Sequence, residues 1–179
     1  MIRQETAGFA IDAEPESVRY RSSLAEEVLA SEQSVLRLIT RNTPLPELLV
    51  EVCRRAETLL GVGASCTILL LDEDGCRVRV GAAPSLPAHY SAALDGLPIG
   101  PRSGSCGTAM FERRMVVVED IETDPLWTDF RHLALPVGLR ACWSIPLQDD
   151  AGTVLGAFAV YYRAPRRPGK DEEAILRDI

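Results

Sequence analysis

The sequence lacks the cysteine patterns that build disulfide frameworks or zinc sites. Its five cysteines form no C-x-x-C pair, and an odd number does not suit a small disulfide framework. They are Cys53, Cys66, Cys76, Cys106 and Cys142. Free thiols in a reducing compartment are the simpler interpretation, and we expect no metal site.

A concentrated basic surface and a long apolar run are missing too. The net charge is −7, and the basic residues are scattered except near the C-terminal end. Because a nucleic-acid surface needs clustered positive charge, we expect no nucleic-acid partner. The apolar run over 154–162 is far shorter than the roughly 20 residues of a membrane span, and the first residues lack the apolar core of a signal peptide. We therefore expect no membrane segment and a cytoplasmic chain, or the cytoplasmic piece of a longer one.

The length of 179 residues suits one domain with flanking helices. Residues 1–22 show little periodicity and predict a mobile lead-in. Residues 23–165 are expected to form the domain, including its N-terminal helices. Residues 166–179 predict the start of a linker helix, which has no end signal of its own.

Hydrophobic periodicity predicts the order of the elements. Ser23 and Glu26 form a capping box that begins a helix to about Thr40, and a second helix runs from Pro44 to Gly61. Shorter helices are predicted near 87–94, after the glycine-rich motif, and from 168 onward. The predicted strands are 66–71, 76–83, 115–118, 140–147 and 153–162. Because consecutive strands form hairpins, the pattern indicates an α+β domain with an antiparallel sheet and helices mainly on one side.

The glycine-rich stretch over 100–114 has three interpretations. A phosphate loop would need a lysine after the glycines, and none follows. A reactive thiol would need an electropositive setting, which the predicted helix start and Arg102 offer to Cys106. The simplest interpretation is a tight turn, in which Gly104 and Gly107 are small because a helix begins close against the sheet. We favour the turn.

Four motifs together resemble the GAF domains of bacterial signalling proteins. They are G-x-x-x-G-S-C-G-T-A, V-V-V-E-D-I-x-x-D-P-x-W, G-L-R-A-C-W-S-I-P-L and G-x-V-L-G-A-F-A-V-Y-Y, in this order over about residues 44–165. The resemblance implies a six-stranded antiparallel sheet, with helices on one face and a ligand-sized cavity on the other. It also implies that the domain lies upstream of a histidine kinase or a cyclic-di-GMP enzyme. Such a domain is expected to dimerise through its own terminal helices.

The same family contains the free methionine-(R)-sulfoxide reductases, which share the C-G-T-A turn. Their catalytic cysteine lies about two dozen residues further on, yet this sequence has no cysteine between Cys106 and Cys142. The partner cysteine upstream is missing as well. We therefore expect no reductase activity and no enzyme. The motifs for bilin attachment and for cyclic-nucleotide binding are also missing, haem ligation by His89 or His132 stays open, and the cofactor is unknown.

The connection over 120–138 is long for a compact domain, and long loops are commonly binding lids. Its aromatic side chains either close over a pocket or complete the core, and Trp143 in the following strand has the same two roles open to it. The candidate ligand-binding residues are Cys106, Thr108, Trp127, Phe130, His132 and Trp143.

The sequence favours a sensory domain that binds a small molecule or relays a signal as a homodimer. Apolar residues seven apart, such as Leu29 and Leu36, suggest pairing of the N-terminal helices. A covalently linked output domain is the partner expected in a full-length protein. Two alternatives stay open: a thiol-based redox sensor or enzyme centred on Cys106, and a structural dimerisation module with a filled cavity.

Overall fold

The structure, a computed structural model, describes the backbone of residues 16–177 and the side chains of residues 26–177. Its α-helices are α1 (Glu16–Thr40), α2 (Leu45–Leu60), α3 (Ala88–Leu94), α4 (Gly104–Glu112), α5 (Arg131–Ala134) and α6 (Lys170–Arg177). Its strands are β1 (Ser65–Leu71), β2 (Val78–Ala82), β3 (Val116–Val118), β4 (Ala141–Gln148) and β5 (Val154–Tyr162). The fold is therefore α+β, as the sequence pattern predicts.

The strands form one antiparallel sheet in the order β2-β1-β5-β4-β3. The hairpins β1–β2 and β4–β5 are those predicted from the alternating pattern. The central strand β5 pairs on both sides, with Phe158 opposite Ile68 of β1 and Ile145 of β4. Since β5 has a helix layer over each face, its residues from 156 to 162 are all buried.

The expected sixth strand does not form within residues 16–177. Residues 96–99 run beside the start of β2 and make backbone hydrogen bonds of 2.7 to 3.0 Å there, but a single bridge joins Arg77 to Pro98. Pro98 has no N–H to donate, and Gly96 has a φ of +78°, which turns the chain away from an extended path. Proline and a left-handed glycine thus stop this segment from continuing as a ladder.

Helices cover both faces of the sheet, so the expectation of helices mainly on one face is wrong. Alternate residues of β5 decide the division: Phe158 and Val160 pack with α2 and α6, whereas Ala159 and Tyr161 pack with α3 and α4. The face under α3 and α4 is also covered by the loop that follows β3. This second face carries the candidate site.

Helix α1 covers more of the chain than the capping box predicts. It includes residues 16–22, which were expected to belong to a mobile lead-in, while residues 1–15 lie outside the described part. The half-buried side chains of α1, Val28 and Val35 among them, face α2.

Helix α6 begins at Lys170, two residues later than expected. Within the described residues, no helix combines the length and the apolar character needed to cross a membrane.

Candidate functional site

The glycine-rich turn begins α4 directly against the sheet. Gly104 has a φ of +60°, a left-handed angle that side chains disfavour. Gly107 is needed for a different reason, because a Cβ there would lie 2.6 Å from Ser103 Cβ and 3.1 Å from the Pro98 carbonyl oxygen. The two glycines therefore let the helix start tightly, which supports the structural interpretation of this motif and places Cys106 over β4.

A cavity lies between this helix start, α3, the sheet and the loop after β3. It encloses about 30 Å³, where about 10–15 Å³ is enough for one water. Its lining carries aromatic, aliphatic and hydroxyl groups and no charged side chain. The lining residues are Leu69, Val78, Tyr90, Leu94, Leu97, Pro98, Ser103, Gly104, Ser105, Cys106, Gly107, Trp127, Phe130, Leu133 and Tyr161.

Trp127 closes the cavity from the loop side and is anchored by a chain of hydrogen bonds. Its indole Nε1 donates to Ser105 Oγ over 2.9 Å, and the Ser105 hydroxyl donates to the Cys142 carbonyl oxygen over 3.2 Å. The Trp127 ring also packs edge-on against Tyr161, with ring centroids 6.4 Å apart. The loop, helix α4 and strand β4 are thereby tied together at one wall of the cavity.

Two arginines hold the loop from Asp120 to Gly138 in place. Arg140 forms a bidentate pair with Asp120 at the base of the loop, with N–O distances of 3.1 and 2.9 Å. Arg131 donates to loop carbonyl oxygens, including those of Glu122 and Trp127. The hydrogen bonds from Arg140 lower the pKa of the Asp120 carboxyl. This long connection is therefore an ordered cover over the cavity.

A buried cluster of thiols and hydroxyls lies beneath the cavity. Cys106 Sγ is 3.3 Å from Ser144 Oγ and 4.0 Å from the Tyr161 hydroxyl, and Cys142 Sγ is 3.6 Å from the same Ser144 oxygen. A hydrogen bond from Cys142, helped by Ser144 and Tyr161, lowers the pKa of the Cys106 thiol. Burial raises the pKa of Cys142. The two thiols therefore differ in acidity although they are neighbours.

Tyr90 places an unsatisfied hydroxyl on the cavity wall. The side chain is 1% exposed, and its hydroxyl has no well-formed hydrogen bond. Its polar neighbour is Tyr161, whose ring lies edge-on at a centroid distance of 5.9 Å. Burial raises the pKa of Tyr90, so the hydroxyl keeps its proton near neutral pH. A buried donor without a partner is costly and points to a bound molecule or water.

Three of the six candidate residues line the cavity: Cys106, Trp127 and Phe130. Thr108 is buried but does not line it, and its hydroxyl oxygen accepts a 3.3 Å hydrogen bond from the Ser103 N–H, which steadies the turn. His132 lies exposed on α5, away from the lining. His89 is exposed on α3, so neither histidine lines the cavity as a haem ligand would.

Trp143 lies on the opposite face of the sheet, because it alternates with Cys142 and Ser144 along β4. Its ring packs against Tyr162 at 4.7 Å between centroids, and the Arg166 guanidinium stacks 5.1 Å from the ring centroid. Its indole Nε1 donates to the Arg166 carbonyl oxygen over 3.2 Å. Trp143 thus holds the segment that leads into α6, and its place as a cavity residue is a wrong prediction.

The residues that the sequence analysis missed are mainly hydroxyl-bearing: Tyr90, Ser105, Ser144 and Tyr161. A signal for two of them is present in the strands. Ser144 is two residues from Cys142 in β4, and Tyr161 is two from Ala159 in β5, so each lies on the cavity face. Polar residues at buried positions of one strand face indicate a site. Among the described residues, no cluster of three metal-ligating side chains occurs.

Comparison with known proteins places the chain in a family. The family model for the GAF domain matches residues 42–179. The chain is 38% identical over 153 residues to the methyl sulfide methyltransferase-associated sensor of Methanosarcina acetivorans. The match covers 86% of this chain and 15% of that protein, so the chain spans a small part of this relative's length.

Two solved structures are similar to this one. A domain of a candidate two-component sensor histidine kinase from Sinorhizobium meliloti has a TM-score of 0.56 and 26% identity, and the match covers 74% of this chain and 81% of that one. Free methionine-R-sulfoxide reductase from Neisseria meningitidis has a TM-score of 0.60 and 18% identity, with 94% and 88% covered, which is a likeness of fold. On the family match and the 38% identical relative, this chain belongs to the GAF domain family.

Proposed function

We propose that this GAF domain is a sensory module whose cavity binds a small, uncharged, mostly apolar molecule with one hydrogen-bonding group. The observation that carries this proposal is the unpartnered Tyr90 hydroxyl on the wall of a cavity without charged lining. A ligand that accepts a hydrogen bond from Tyr90 would remove the cost of leaving that donor unsatisfied. An ion would find no opposite charge there to offset its desolvation.

The cavity of about 30 Å³ has room for water-sized molecules. A larger ligand therefore requires the cover to move. The loop wall is suited to this motion, because Phe130 and Leu133 contribute to the lining and are only half-buried. In this proposal the ligand displaces these two side chains. Trp127 transmits the displacement to α4 through its hydrogen bond to Ser105.

The probe for the test is phenol, whose ring matches the aromatic lining and whose oxygen can accept from Tyr90. Benzoate is the charged comparison of similar shape. We expect phenol to raise the melting temperature of the parent, and benzoate at the same concentration to have less effect. Tyr90→Phe should weaken the shift, whereas Tyr162→Phe, which removes a hydroxyl from the opposite face, should preserve it.

Equal shifts with phenol and benzoate, or an undiminished phenol shift in Tyr90→Phe, would contradict the proposed site. Native mass spectrometry of the purified protein adds an independent observation. A bound small molecule lost in Tyr90→Phe and kept in Tyr162→Phe supports the proposal.

The proposed output is a linked domain of the histidine kinase or cyclic-di-GMP enzyme type, reached through α6, in the cytoplasm. The relative named as a sensor and the domain from a candidate sensor histidine kinase support a role in signalling. A homodimer through the terminal helices would carry the signal. The membrane and nucleic acids are not partners in this proposal.

We further propose that the chain has no free methionine sulfoxide reductase activity. Among the described residues, Cys106 is the one cysteine in the cavity lining, and the loop contributes Trp127, Phe130 and Leu133 to it. Two thiols facing one substrate pocket, which that reaction needs, are therefore not supplied by the lining. Turnover of free methionine-(R)-sulfoxide with thioredoxin that Cys106→Ser abolishes would overturn this proposal.

A further inference from the structure

Two buried cysteines on different elements approach one hydroxyl. The Sγ atoms of Cys106 in α4 and Cys142 in β4 lie 3.3 and 3.6 Å from Ser144 Oγ. The two sulfurs therefore contact the same side-chain oxygen from two different elements. Both are free thiols in this structure.

The two sulfurs differ in access. Cys106 lines the cavity and is 6% exposed, whereas Cys142 is fully buried beneath it. The cavity of about 30 Å³ has room for a molecule of two heavy atoms, given that one water needs about 10–15 Å³. Hydrogen peroxide is such a molecule, and it is uncharged, like the lining. Its path to Cys106 is the cavity, and Cys142 is reached through Cys106.

We propose that Cys106 and Cys142 are a peroxide-oxidised pair, in which Cys106 is attacked first and Cys142 resolves it as an intramolecular disulfide. The Cys106 thiolate attacks one peroxide oxygen, so that an S–O bond forms and the O–O bond breaks. The departing hydroxide takes up a proton and becomes water, leaving a sulfenic acid at Cys106. This step does not depend on the ligand proposed above.

Cys142 then attacks the sulfur of the Cys106 sulfenic acid. The S–S bond forms, the S–O bond breaks, and the hydroxyl leaves as a second water with the proton from Cys142. Two thiols lose two electrons and two protons, and one peroxide becomes two waters. The Ser144 hydroxyl, in contact with both sulfurs, is placed to hydrogen-bond to the thiolate and to the departing oxygen.

The chain contains a matched control on the other face of the sheet. Cys53 and Cys66 are both fully buried in the core under α2, with no cavity beside them among those described. Burial raises the pKa of Cys53 to about 12 and the pKa of Cys66 further still. This second pair is as buried as the first but lacks a path for the oxidant. Cys76 is exposed, so its oxidation shows how far exposure to solvent alone makes a thiol of this chain react.

The experiment treats the native full chain with hydrogen peroxide at low molar excess, blocks remaining thiols with N-ethylmaleimide and maps peptides without reduction. Trypsin places Cys106 on residues 103–113 and Cys142 on residues 141–163, so their disulfide is a distinct linked peptide. We expect this linked peptide, while Cys53 and Cys66 are alkylated. In Cys142→Ser, dimedone should label Cys106, and Cys53→Ser should leave the linked peptide unchanged.

Four results would overturn the inference. They are oxidation at Cys76 without the linked peptide, linkage of Cys53 to Cys66 at the same rate, no dimedone labelling of Cys106 in Cys142→Ser, and a linked peptide that forms between two chains instead of within one. The peptide map of the parent protein is sufficient for the test, because it needs no substitution in the core. Isotope-mixed protein separates linkage within a chain from linkage between chains.

Discussion

The indole Nε1 of Trp127 donates a 2.9 Å hydrogen bond to the hydroxyl oxygen of Ser105. Both groups are buried, and the Ser105 hydroxyl in turn donates a hydrogen bond to the Cys142 carbonyl oxygen. The Ser105 hydroxyl at the start of α4 therefore links the loop cover to strand β4.

We predict that Ser105→Ala destabilises the domain by about 1–3 kcal/mol, because the Trp127 N–H and the Cys142 carbonyl both lose a buried partner. The free energy of unfolding is measured by urea denaturation followed by circular dichroism. Ser91→Ala is the matched control, since its hydroxyl makes a longer, partly buried bond of 3.4 Å to Pro87. Equal losses in the two variants would mean that the Trp127 anchor contributes nothing of its own.

Replacing each of the two turn glycines by alanine is predicted to lower the free energy of unfolding by a different amount and for a different reason. Gly104→Ala should cost about 1–2 kcal/mol, because its φ of +60° is left-handed. Gly107→Ala should cost more, since its new Cβ would meet Ser103 Cβ at 2.6 Å and the rigid Pro98 carbonyl. Gly169→Ala is the control, with ordinary space and no left-handed angle.

Thermal and urea unfolding of the three glycine variants decide the point. The expected order of destabilisation is Gly107→Ala, then Gly104→Ala, then Gly169→Ala near the parent. Parent-like melting of both turn variants would show that the glycines are dispensable and would remove the structural explanation of this motif.

The sequence was sufficient for the parts of the fold that depend on local pattern. Alternation and turn residues predicted five strands close to those observed, and the sixth strand came from the family resemblance. That strand fails here because Pro98 cannot donate to a ladder. The start of α1 was missed, because a capping box at Ser23 is compatible with a helix that already began at Glu16.

The candidate site was predicted less completely, and the two tryptophans explain why. Trp127 lines the cavity and Trp143 does not, although the two aromatic residues are close to each other in sequence. Which face a strand residue occupies depends on the register of the whole sheet, and a single position does not reveal it. Tyr90 was missed because an unsatisfied hydroxyl is a property of the packed neighbourhood, which spacing alone does not encode.

The pair of Asp120 with Arg140 predicts a pH dependence of stability. Hydrogen bonds from Arg140 hold the folded-state pKa of Asp120 below its unfolded value of about 3.9. The pair therefore contributes stability above that value and loses it as the pH falls through the lower folded-state pKa. Asp120→Asn should thus be less stable than the parent at pH 7, with the gap closing as the pH falls below about 4.

Urea unfolding at a series of pH values from neutral to acid measures this gap. Asp129→Asn is the control, because Asp129 is an exposed aspartate of the same loop. A gap that stays constant with pH would assign the effect of Asp120→Asn to lost hydrogen-bond geometry and would contradict an ionic contribution.

Helix α1 presents two different apolar faces, and the outer one is predicted to pair with a second copy of the chain. Val28 and Val35 are half-buried toward α2, whereas Leu29 and Leu36 are 54% and 60% exposed, with Leu36 at the edge of the groove between the two helices. The exposed pair is seven residues apart, the spacing at which one helix can lie along another. An unpaired stripe of this kind is costly in water, and pairing would bury it.

We predict that the parent is a homodimer and that Leu29→Glu/Leu36→Glu is a monomer, because the charges would face each other across the paired helices. Leu155→Glu is the matched control, since that leucine of β5 is 50% exposed far along the chain from α1. Size-exclusion chromatography with light scattering over a range of concentrations measures the mass. Circular dichroism checks that all three proteins keep the same helix content. A monomeric parent at every concentration, or dimers in all three proteins, would reject pairing through α1. It would also remove the proposed route in which ligand binding in the cavity moves the paired helices and so affects α6.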